Sequence, residues 1–141
     1  MEIQQFRDIR PSPIAGTWYP GEPTELRELI ESFLQAAKTP QVQGEILGVI
    51  VPHAGIIYSG FTAAHAFKAL IGKDYHRVIA LSPSHQYYRE PLLTTGHEAY
   101  ATPLGIVPVD REALSVIQQL LSTSTGIAVT PVRRDREHSL E

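Results

Sequence analysis

This chain of 141 residues contains no cysteine. Disulfides and thiolate metal ligands are therefore excluded within it, and the absence says little about compartment. Charge is also sparse, at 19% of residues with a formal net charge of -3. Without a basic footprint, nucleic acid is not an expected partner. No apolar run approaches the roughly 20 residues of a membrane-spanning helix, so no membrane partner is expected either. The first residues, Met1-Glu2-Ile3-Gln4-Gln5-Phe6-Arg7, lack the basic start and apolar stretch of a secretion signal, which makes cytoplasmic the expected location. Also missing are a phosphate loop, a dinucleotide glycine motif, a Gly-x-Ser-x-Gly turn and a His-x-x-x-His zinc pair.

What is present is an ordinary apolar content of 43%, enough chain for one domain with a core, and six histidines. Two of these occupy matching places. His53 lies in Pro52-His53-Ala54-Gly55, after the apolar run Ile46–Val51, and His85 ends Ser82-Pro83-Ser84-His85, after Val78-Ile79-Ala80-Leu81. Both runs read as buried parallel strands, 46–51 and 77–81. The stretch from Phe61 to Ile71 between them reads as an alanine-rich helix, with Ser59 as its cap and Gly72 as its terminator. Strand, helix and strand make a right-handed crossover, so both histidines emerge at the carboxyl edge of one sheet, where open α/β sheets bind ligands.

The rest of the chain fits an α/β domain without repeats or linkers. Pro11, Pro13 and Pro20 mark an extended lead-in that Trp18 and Tyr19 pin to the domain. Leu26, Leu29, Ile30, Phe33, Leu34 and Ala37 predict a helix from Pro23 to Lys38, stopped by Pro40. Leu92–Thr95, Ile106–Val109 and Ile127–Thr130 are short strand candidates. Asp110 is the expected cap of a helix carrying Leu114, Ile117, Leu120 and Leu121. The last residues, 133–141, read as a charged end.

Imidazole suits iron, copper, zinc and nickel, and adjacent strand ends, roughly 4.8 Å apart, can bring two rings to one ion. His53 and His85 are therefore the candidate metal ligands, set against the plainer reading in which each only bonds its own loop. A third ligand has to come from elsewhere. His138, in Glu137-His138-Ser139, either orients a ligand and shuttles a proton or belongs to a mobile tail. Tyr58 is a candidate to bond into the site or a packing residue, and Ser59 reads as a cap. Tyr87 and Tyr88 either line the pocket or cover the sheet edge. His65 reads as a surface or partly buried helix residue, His76 as a solvated loop residue, and His97 either as another solvated loop residue or as part of a loop near the site.

Five segments in order resemble one family. Arg10-Pro11-Ser12-Pro13-Ile14-Ala15-Gly16-Thr17-Trp18-Tyr19-Pro20 resembles the amino-terminal signature of the Memo family, also called AmmeMemoRadiSam system protein B. Val51-Pro52-His53-Ala54-Gly55 with Tyr58-Ser59-Gly60, Pro83-Ser84-His85, Thr102-Pro103-Leu104-Gly105 with Asp110, and Asp135 with Glu137-His138-Ser139-Leu140-Glu141 resemble its later motifs. Ile56 stands where an aromatic is common and Ser82 where glycine is common.

The resemblance implies a three-layer α/β/α fold with a mainly parallel central sheet, similar to class III extradiol dioxygenases. It implies an iron or copper ion held by His53, His85 and a cysteine further on, with pocket residues from a later half. Trp18, Tyr19 and Tyr58 are candidate substrate-binding residues. Members are roughly twice this length, so residues 1–141 are expected to be the amino-terminal half of a single domain whose carboxyl-terminal half is absent. The chain alone is then expected to be weakly active or inactive. Function stays open between metal-dependent redox or dioxygenase chemistry, a non-catalytic module binding phosphotyrosine-like peptides or small molecules, and a subunit acting with a radical-SAM partner. An exposed sheet edge in such a half would favour a homo-oligomer.

Overall fold

The computed structural model describes residues 5–39, 41–133 and 136–141. Pro40, the expected helix stop, and Asp135 of the last motif lie outside the described residues. The element order is β1 (Ile9–Arg10), α1 (Pro23–Ala36), α2 (Ile56–Lys68), β2 (Leu92–Thr95), β3 (Ala99–Thr102), β4 (Gly105–Pro108), α3 (Arg111–Thr125) and β5 (Val129–Val132). No helix among them is long and apolar enough to cross a membrane. The chain is thus a mixed α/β protein. Its contacts divide it into two compact units, a sheet unit from the described residues of 1–13 and 84–137 and a helical unit from those of 14–83 and 138–141.

In the helical unit, α1 begins at Pro23, where a fixed φ and a missing N–H suit the first turn, and Glu25 adds an acidic group there. It ends at Ala36, two residues before the expected Lys38. Lys68 of α2 donates to the carbonyls of Gln35 at 3.3 Å and Ala37 at 2.7 Å, so a cation answers the open carbonyl end of α1. The second helix starts earlier than predicted, at Ile56 rather than Phe61. The Ile56 N–H donates to the Trp18 carbonyl at 2.9 Å, so the lead-in satisfies one of the donors that a helix start leaves open. The expectation that Ser59 caps this helix is corrected accordingly. Ser59 is buried inside the first turns and its hydroxyl donates back to the Ala54 carbonyl at 2.9 Å. The two helices meet at Gly60, where a Cβ would stand 2.7 Å from Ile56 Cγ1 and 2.8 Å from the Phe33 ring.

The sheet unit holds two small sheets. One has the order β1-β3-β4, with β1 parallel to β3 and β3 antiparallel to β4, and the other pairs β2 parallel to β5. The β2 limits match the expectation, β4 and β5 are shifted by one and two residues, and β1 and β3 lie in stretches not read as strands. Asp110 accepts from the Ala113 N–H at 2.9 Å, the expected cap of α3, and Gly126 closes that helix at φ 71.

The two runs expected as central strands, 46–51 and 77–81, form neither strands nor core among the described residues. Leu47 is 93%, Ile50 101% and Leu81 91% exposed. A strand exists only through its ladder of paired neighbours. Among the described residues neither run joins a strand ladder, so both are irregular apolar chain.

Adding one methyl at the α1–α2 contact tests the close approach. Gly60→Ala is expected to lower stability by about 1–3 kcal/mol, the usual range for overpacking a tight contact. A shift of the urea unfolding midpoint, followed by far-ultraviolet circular dichroism, measures it.

Candidate metal centre

His85 lies between the second apolar run and β2, and its ring Nδ1 stands 2.9 Å from Glu137 Oε1. The other carboxylate oxygen of Glu137 accepts from the main-chain N–H of His85 and, at 3.3 Å, from that of Gln86. One carboxylate therefore grips the ring and the backbone of the same histidine. The imidazole is 43% exposed and the carboxylate 17%. Ser84 steadies the turn by donating to the Gln86 carbonyl at 3.0 Å.

Glu137 is fixed by the sheet in turn. The Arg10 guanidinium donates to the Glu137 carbonyl. Arg10 is only 4% exposed and lies 5.1 Å from the centre of the Tyr100 ring, its partner across the β1–β3 ladder. Imidazole nitrogen and carboxylate oxygen are donors that suit first-row transition metals. His85 and Glu137 form a His/Glu group able to hold a metal ion, and His138 is the next donor along the chain.

In the helical unit, the His138 ring meets the Trp18 ring edge-on at 4.4 Å. Tyr19 donates to the Glu141 carboxylate at 2.9 Å. The Ser139 hydroxyl lies 2.6 Å from the Pro83 carbonyl and 2.7 Å from the Ser82 hydroxyl. With one proton to give, it donates to the carbonyl and accepts from Ser82. His53 is exposed in the loop ahead of α2, and Tyr58 is exposed on the first turn of that helix. Trp18 and Tyr19 join the lead-in to α2 and to residues 138–141, so the expected pinning role is observed within this unit.

His97 is the clearest departure from the sequence reading. Expected in solvent, it is buried, and its Nδ1 stands 2.7 Å from Asp8 Oδ1. The second Asp8 oxygen accepts from Arg133, and Arg111 donates to the Gly96 carbonyl at 3.2 Å. Asp8 lies 89 residues from His97 in sequence, so no local spacing announces the pair. The hydrogen bond from His97, together with the nearby Arg133 and Arg111 charges, outweighs desolvation and holds the Asp8 carboxyl below its ordinary value.

A family model described as Memo-like protein matches residues 10–141. The chain belongs to the Memo-like family. It is 39% identical over 137 residues to a MEMO1 family protein of Nitrosopumilus maritimus, covering 94% of this chain and 49% of that protein. A MEMO1 family protein of Thermococcus onnurineus is 33% identical over 94% of this chain and 45% of its own length. The MEMO1 family protein MHO1 of Saccharomyces cerevisiae is 32% identical over 94% of this chain and 41% of its own length. The chain thus spans about half the length of the curated relatives it matches. All the residues of the His85–Glu137 group fall inside the region that matches the Memo-like model.

The lowered Asp8 value sets the sign of an acid effect. Unfolded Asp titrates near about 3.9, so the stabilisation is complete above that pH and is lost as pH falls through the lower native value. Urea midpoints are expected to drop between about pH 5 and about pH 2 for the parent chain, and to drop less over that window for Asp8→Asn.

Proposed function

We propose that this chain supplies the histidine part of a Memo-type metal centre, in which His53 and His85 are ligands of an iron or copper ion. His138 is the residue proposed to move a proton there or to complete the donor set. The carrying observation is the hold of the Glu137 carboxylate on both the ring and the backbone of His85. Histidines that ligate metals usually have their second nitrogen fixed by such a partner. The chemistry that iron or copper supplies when bound is one-electron exchange and polarisation of an oxygen-rich substrate.

The chain's own residues have separable tasks in this reading. Glu137 and Arg10 keep His85 in place, while Trp18, Tyr19 and Tyr58 offer aromatic and hydroxyl surface to a substrate. The support for His53 is its sequence setting, an apolar run followed by Pro52-His53-Ala54-Gly55, which parallels that of His85. The proposed complete fold is one domain of the three-layer α/β/α, extradiol-dioxygenase type, in a cytoplasmic setting. Its remaining ligand and pocket residues belong to the half that the curated relatives add.

A second reading is favoured by the exposure of Tyr58 and Trp18. In it the same surface binds a phosphotyrosine-like peptide without chemistry, with the imidazoles as hydrogen-bond donors.

Elemental analysis of protein purified without added metal separates the two. The metal reading expects iron or copper in the full-length protein that carries both halves, and its loss there in His85→Ala and His53→Ala. Metal content unchanged by both substitutions would overturn it. Peptide affinity that falls in both variants without any bound metal would favour the binding module.

A further inference from the structure

We propose that Glu137 is a positioning residue that sets which nitrogen of His85 carries the proton, leaving Nε2 as the nitrogen presented to a metal. This rests on the metal reading above for its purpose, but not for its geometry.

The argument starts from what a carboxylate can do. When ionised it only accepts hydrogen bonds. Glu137 Oε2 is already committed to the main-chain N–H groups of His85 and Gln86, and its Oε1 faces His85 Nδ1 at 2.9 Å. A neutral ring opposite an acceptor must place its proton on Nδ1, which leaves the lone pair on Nε2. The backbone that carries this carboxylate is held as well, because the Glu137 carbonyl accepts from buried Arg10. Backbone and ring of residue 85 are thereby referred to one fixed group. That fixes both the tautomer and the direction of the ring.

The isosteric amide turns this into a sharp test. In Glu137→Gln, the two main-chain N–H groups require the side-chain oxygen, so the amide NH2 faces Nδ1. A donor there forces Nδ1 to accept and moves the ring proton to Nε2. Glutamine has nearly the same size and shape as glutamate, so the expected inversion is one of donor and acceptor rather than of packing.

Side-chain 15N shifts of His85 are to be recorded on the metal-free 141-residue chain at pH 8. The parent chain is expected to show the Nδ1–H form and Glu137→Gln the Nε2–H form, with matching circular dichroism and thermal midpoints. Copper(II) affinity, measured by chelator competition, is expected to fall about 10- to 100-fold in Glu137→Gln, as for other partners of ligating histidines. Glu137→Asp, which keeps the acceptor, should retain the parent tautomer and recover part of the affinity. An Nε2–H ring in the parent chain, or an unchanged tautomer in Glu137→Gln, would overturn the proposal. If the full-length protein holds no iron or copper, the metal reading fails, while the tautomer measurement on the 141-residue chain still decides the role of Glu137.

Discussion

Arg10 is a charged side chain with 4% of its surface exposed, and much of the sheet unit follows from how that charge is answered. Removing a guanidinium from water costs several kcal/mol unless its donors find partners. One partner is the face of Tyr100, its neighbour across the β1–β3 ladder. Another is the carbonyl of Glu137, which is 127 residues away in sequence. The two-residue strand β1 is too short to hold much by its own ladder, yet it fixes where the chain passes at residue 137. From there the Glu137 carboxylate reaches His85. Arginine, glutamate and histidine form one line of dependence running from a small sheet to the metal candidate.

The two units rely on different physics. The sheet unit is joined by polar contacts between distant stretches. Glu98 accepts from the Arg7 and Asp8 main-chain N–H groups, and Asp8 bridges His97 and Arg133. Such contacts fix geometry more than they add stability, because each group gives up water to form them. The helical unit is closed by apolar fit instead. Gly60 lets α2 approach Phe33, and Ile14, Leu26, Ala37 and Ala64 are its buried apolar residues. A device built on close apolar fit tolerates changes of charge but not of volume. The polar one behaves in the opposite way.

Local signals made α1, β2 and α3 legible. Helical spacing of Leu26, Ile30 and Phe33, and an aspartate ahead of Leu114, are features that short-range physics decides. The start of α2 is not legible locally because its first donor, the Ile56 N–H, is met by Trp18, far back in the chain, rather than by a capping side chain. His97 and Asp8 were invisible as a pair for the same reason. The strand expectation for 46–51 and 77–81 rested on composition alone, and composition does not supply a ladder. At the candidate centre, His85 and the Glu137-His138 step were readable from residue type. The contact that joins His85 to Glu137 was not, since 52 residues separate them.

The exposed run at 46–51 carries one more consequence. Ile46-Leu47-Gly48-Val49-Ile50-Val51 contains no charge and no proline, and four of its six residues are β-branched. Segments of this length and composition stack readily into cross-β fibrils when solvent can reach them. Its boundaries carry the usual breakers, with the charge of Glu45 on one side and the ring of Pro52 on the other. Pro52 thus has two separate duties. It stiffens the loop that carries His53, and it interrupts an exposed apolar stretch through which copies of this chain could template one another.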